Sequence, residues 1–122
     1  MAKILVVDDS EAVRRQLRKD LETKGHNILE AVDGLDGLKV LEENEGVQII
    51  ISDVNMPNMD GLDMCKKIHQ IKKYQNIKIF MLTTEASALM KLKGVDAGIR
   101  LWIVKPYVVE KLLNAIDKVL LN

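Results

Sequence analysis

Lys3-Ile4-Leu5-Val6-Val7-Asp8-Asp9-Ser10 decides the architecture, because an apolar run passes directly into two carboxylates and a hydroxyl suited to cap a helix. Such a run reads as a strand buried on both faces, as the middle of a parallel sheet requires. Beyond it, Val13, Leu17 and Leu21 recur at four-residue spacing and Gly25 offers a stop, which predicts an amphipathic helix over 10–24. The same rhythm repeats along the chain. Strands are predicted over Lys3–Val7, 27–30, 48–52, 78–82 and Leu101–Val104, and helices over 10–24, 35–43, onward from Gly61, 86–97 and 109–121. In the third helix Met64, Ile68 and Ile71 are expected to face inward. Gly94 interrupts the fourth, and Leu112, Leu113, Ile116, Val119 and Leu120 form the stripe of the last. Alternating βα units predict an α/β fold with a parallel sheet.

The 122 residues suit one domain. Eighteen basic residues balance eighteen acidic ones, so no net field draws the protein to nucleic acid or to an anionic membrane. The longest apolar runs are too short to span a bilayer, and the start lacks the layout of a signal peptide. A single cysteine, Cys65, excludes an internal disulfide and reads as a small buried hydrophobe in a reducing, cytoplasmic compartment. His26 and His69 have no partners at metal-ligand spacing and are expected at the surface.

An open α/β sheet binds ligands outside the carboxyl ends of its strands. The first strand ends in Asp8-Asp9, the third in Asp53, the fourth in Thr83-Thr84 and the fifth in Lys105-Pro106. Each could be an ordinary turn former, cap or solvated charge. Together they place three carboxylates in one crevice, where they must take up protons or bind a cation. Oxygen donors without histidine or thiolate favour Mg2+, which leaves coordination positions for phosphate oxygens. Asp53 can then act as a nucleophile toward phosphorus, with Lys105 as a point charge and Thr83 as a hydroxyl donor to the transferred group.

In these residues the chain resembles response-regulator receiver domains of the CheY type across essentially its whole length. The resemblance rests on Val6-Val7-Asp8-Asp9-Ser10, Ser52-Asp53-Val54-Asn55-Met56-Pro57, Met59-Asp60-Gly61, Leu82-Thr83-Thr84 and Val104-Lys105-Pro106. It implies a flavodoxin-like (βα)5 fold with strand order 2-1-3-4-5 and helices on both faces. It also implies that Asp53 accepts phosphate from a CheA-like histidine kinase, and that Asp9, Asp53 and the Asn55 carbonyl ligate Mg2+ while Asp8 acts through water. Thr83 and Trp102 would be the switch pair, although tyrosine or phenylalanine is the more familiar ring, and Thr84 stands where a smaller residue is usual. Asn55 and Glu85 would tune the lifetime of the acyl phosphate, and the Lys105-Pro106 bond would be cis.

The resemblance further implies a monomeric phosphoacceptor rather than an enzyme. Its face of helix four, strand five and helix five would bind a flagellar motor switch protein, and a separate phosphatase is compatible with that scheme. Three other readings stay open: a phosphorelay intermediate, a flavin-binding electron carrier and a dehalogenase-like phosphatase. The carrier would need amides where Asp8 and Asp9 stand, and the phosphatase a second carboxylate where Asn55 stands.

Overall fold

The structure is a computed structural model that describes residues 1–121. In chain order the elements are β1 (Lys3–Val7), α1 (Glu11–Glu22), β2 (Asn27–Ala31), α2 (Gly34–Glu43), β3 (Ile49–Ser52), α3 (Gly61–His69), β4 (Lys78–Thr83), α4 (Ala88–Asp96), β5 (Leu101–Val104) and α5 (Val109–Leu120). A short 3-10 turn at Lys72–Tyr74 leads into β4. All strand pairs are parallel, in the order β2-β1-β3-β4-β5.

The apolar runs form strands because successive side chains can enter cores on opposite faces. Leu5, Val7, Ile50, Ile79 and Met81 join Met64, Cys65 and Ile68 of α3 and Leu41 of α2. Ile4, Val6, Ile49, Ile51, Phe80 and Leu82 join Leu17 and Leu21 of α1 and Leu112 and Ile116 of α5. Helices therefore cover both faces of the sheet. The register aligns Val7 with Ser52 and Ser52 with Met81, so Asp8 and Asp53 leave adjacent strands at one level.

Four local expectations need correction. The fourth helix begins at Ala88 rather than at 86, because the Ser87 hydroxyl caps it by accepting the Met90 N–H at 3.2 Å. It also runs through Gly94, whose missing side chain makes room for the Trp102 ring. Helix α3 ends at His69, so Ile71 lies beyond it and is exposed rather than inward. His26 is buried at 8% exposure, accepting the Ala2 N–H at 3.2 Å, and burial lowers its pKa. His69 is at the surface as expected. Cys65 is fully buried, and burial pushes its thiol pKa up to about 12.

Candidate functional site

The strand order reverses direction at β1, since β2 lies on one side of it and β3 on the other. The crevice at this switch point is where such sheets take ligands. Asp8 and Asp53 flank it. The Asp8 N–H donates to the Ala31 carbonyl at 3.1 Å and the Asp53 N–H to the Val7 carbonyl at 3.0 Å, so ladder geometry extends one residue past each strand. Each carboxylate then has one oxygen tied to a backbone amide. Asp8 Oδ1 accepts from Ser10 N at 2.9 Å and Asp53 Oδ1 from Val54 N at 2.7 Å.

The other oxygens meet Lys105, whose Nζ lies 2.9 Å from Asp8 Oδ2 and 3.1 Å from Asp53 Oδ2. Burial works against the lysine's charge, but the bonds and field of both aspartates outweigh it and raise its pKa above the usual value. The peptide after it, Lys105-Pro106, is cis. Asp9 is exposed and completes a group with Asp8 and Asp53 in which one oxygen from each carboxylate lies within 4.8 Å of the other two. It is the one such grouping among the described residues. One ammonium among three carboxylates leaves the corner negative, and an all-oxygen donor set of this span suits a hard divalent cation.

The structure thus brings Asp8, Asp9, Asp53 and Lys105 together. Thr83 is wholly buried at the end of β4, where its Oγ1 accepts the Glu85 N–H at 3.2 Å. Trp102 is half-buried; its indole N–H donates to the Glu85 carbonyl at 2.8 Å, which supplies the partner a buried indole needs. Thr84 is exposed and lines a cavity together with Lys105 and Tyr107. Asn55 Nδ2 reaches Glu85 Oε1 at 3.4 Å, a long and weak contact across the mouth of the crevice.

Several supporting residues escaped the sequence reading. Arg14 Nη1 donates to the Asp8 carbonyl at 2.7 Å while its Nε pairs with Glu30 at 3.0 Å. The Ser52 hydroxyl donates to the Asp53 carbonyl at 2.8 Å. At Gly61 any Cβ would stand 1.9 Å from the Asp53 carbonyl oxygen, so only glycine admits this approach. Gly61 and Ser52 both lie within the motifs that carry the resemblance, and the glycine could have signalled the crowding, whereas Arg14 lies outside them and left no signal in the pattern.

An open parallel sheet with a carboxylate corner at its switch point defines a doubly wound α/β protein whose acidic group is of a kind that suits a divalent cation. The chain belongs to the response regulator receiver domain family, whose pattern it matches over residues 4–117. It is 40% identical to the chemotaxis protein CheY homolog of Campylobacter jejuni over 97% of this chain and 92% of that one. Against chemotaxis protein CheY1 of Helicobacter pylori it is 36% identical over 97% and 96%. The solved structure of chemotaxis protein CheY4 of Vibrio cholerae matches with a TM-score of 0.91 at 38% identity, covering 98% of each chain. The protein is therefore a CheY-like receiver domain with homologues in chemotaxis.

Proposed function

We propose that the protein is a phosphorylation switch in a chemotaxis pathway, charged on Asp53 by a histidine kinase. The carrying observation is the Lys105 ammonium shared between Asp8 and Asp53 beside the group they form with Asp9. An Asp53 oxygen forms a bond to phosphorus as the P–N bond of the donor phosphohistidine breaks, and the leaving imidazole takes its proton from solvent. Asp9, Asp53 and the Asn55 carbonyl would hold Mg2+, with Asp8 acting through a bound water. When bound, the cation offsets the charge on the transferred oxygens. Lys105 and the Thr83 hydroxyl hold the remaining oxygens. Water later attacks the same phosphorus as the P–O bond to Asp53 breaks, releasing inorganic phosphate and the free carboxylate at a rate tuned by Asn55 and Glu85, so the protein assists its own dephosphorylation without turning over a separate substrate.

Output follows from a population shift of the α4, β5 and α5 face, read by a target such as a flagellar motor switch protein. Leu89, Leu92, Val95 and Val104 already stand exposed there. The protein acts in the cytoplasm as a monomer; among the described residues no helix is long and apolar enough to cross a membrane. Acetyl phosphate with Mg2+ is expected to add one phosphoryl group to the intact protein and to change Trp102 emission. Asp53→Asn is expected to stay unlabelled; equal labelling by intact-mass measurement overturns the assignment.

A further inference from the structure

The loop from Asp53 to Asp60 joins β3 to α3 and carries Asn55. Its hydrogen bonds show what fixes it. At the near end Val54 is tied through its N–H to Asp53 Oδ1 at 2.7 Å and through its carbonyl to the Gly61 N–H at 2.9 Å. At the far end the loop leans on the turn before α2: the Gly34 N–H donates to the Met59 carbonyl at 3.0 Å, and Asn58 Nδ2 donates to Asp33 Oδ2 at 2.7 Å. A Cβ at Gly34 would stand 2.6 Å from that carbonyl, so the approach is as close as glycine allows.

Asp33 is 6% exposed, and its other oxygen caps α2 by accepting the Asp36 N–H at 2.8 Å. It belongs to neither the acidic group nor the Lys105 network, yet its carboxylate is fully partnered. Asn58 is exposed and adopts φ of +67°, a conformation asparagine and aspartate tolerate better than most residues. Asn55 lies between the two anchored ends.

We infer that Asp33 and Asn58 are positioning residues for the cation, holding the loop so that the Asn55 carbonyl is presented beside Asp53. The inference rests on the proposed function, which gives Asn55 its role. Groups that orient metal ligands from behind are worth about 10- to 100-fold in metal affinity when lost. The pair also lends itself to a swap. Asp33→Asn keeps an oxygen for the cap and keeps a hydrogen bond to the exposed Asn58, whose amide flips to accept from the new NH2; Asn58→Asp alone sets two carboxylates against each other; the double swap restores a hydrogen bond of reversed polarity.

The test is an Mg2+ titration of the full chain, followed by amide chemical shifts of residues 53–56, with thermal melts alongside. Asn58→Asp is expected to weaken Mg2+ binding about tenfold, Asp33→Asn to weaken it little, and the double swap to recover most of the loss. Asn58→Gly keeps the positive φ while removing the donor, so it covers the case in which Asn58→Asp fails to fold, and it is expected to show the same loss. Wild-type affinity in Asn58→Gly, or a double swap as weak as Asn58→Asp, overturns the inference. A wild-type chain that binds no Mg2+ overturns the proposed function and the pair with it, whereas wild-type binding with no effect of Asn58→Gly removes only the pair.

Discussion

At the carboxyl ends of β1 and β3 each aspartate has a backbone amide on one oxygen and the Lys105 ammonium on the other. On α4, by contrast, Leu89, Leu92 and Val95 stand 63%, 65% and 70% exposed, and Gly94 is the only buried residue of the helix. Neighbouring β5 also exposes Leu101 and Val104, although β1, β3 and β4 are almost wholly buried. An element with little buried apolar area opens at low cost, whereas one locked by core strands opens only with the whole domain. The corner thus has the fixed geometry that the proposed phosphoryl transfer needs. The α4 and β5 side has the exposed apolar surface that the proposed docking face needs.

The sharpest break of this comparison is one substitution made in both regions. Gly61→Ala places a Cβ 1.9 Å from the Asp53 carbonyl oxygen, a backbone atom that cannot swing away. It is expected to cost about 3 kcal/mol in urea unfolding, at the upper end of ordinary overpacking. It should also displace Asp53 and slow acetyl phosphate labelling. A loss below about 1 kcal/mol would mean that the corner yields more easily than its hydrogen bonds suggest.

What the sequence disclosed divides along the same line. The buried strands were legible because each needs an apolar run, and the carboxylate corner because Asp8, Asp9 and Asp53 follow those runs directly. The start of α4 was misjudged because capping by Ser87 is decided by local geometry at a weakly amphipathic helix. His26 was misplaced because its burial comes from the chain start folding over the turn after α1, a contact 24 residues apart. The role of Asp33 leaves no mark in the sequence, since its partner Asn58 lies 25 residues away and nothing local announces the pair.

Tyr107 joins the two regions and should give an intermediate effect. Its hydroxyl donates to Asp20 Oδ2 at 2.6 Å, tying the segment after Lys105 to α1. Tyr107→Phe is expected to cost about 1.5 kcal/mol at pH 7, as for a hydrogen bond to a charged group. Burial, reinforced by Asp20, raises the phenol pKa above its usual value. The unfolded phenol therefore ionises first, so the stability the tyrosine contributes is full below about pH 10 and declines above it. Unfolding measured from neutral to alkaline pH should show the gap between wild type and Tyr107→Phe narrowing; a constant gap would remove Asp20 as the cause.

The smallest effect belongs to Gly94→Ala, the counterpart of the first substitution. Here the added Cβ meets Trp102 Cζ3 at 2.9 Å and Cε3 at 3.1 Å, side-chain atoms rather than backbone. Alanine inside a helix gains up to about 1 kcal/mol over glycine, which offsets part of the clash. The net loss of stability is expected to stay below about 1 kcal/mol, with the strain relieved by movement of the indole. That movement stretches the 2.8 Å bond from the indole N–H to the Glu85 carbonyl, so Trp102 emission should shift although the melt hardly does. Because the Glu85 N–H also donates to Thr83 Oγ1, a ring displaced on the α4 side pulls on the segment next to the carboxylate corner. An unchanged emission spectrum would mean that α4 moves instead of the ring, leaving the helix as the softer of the two.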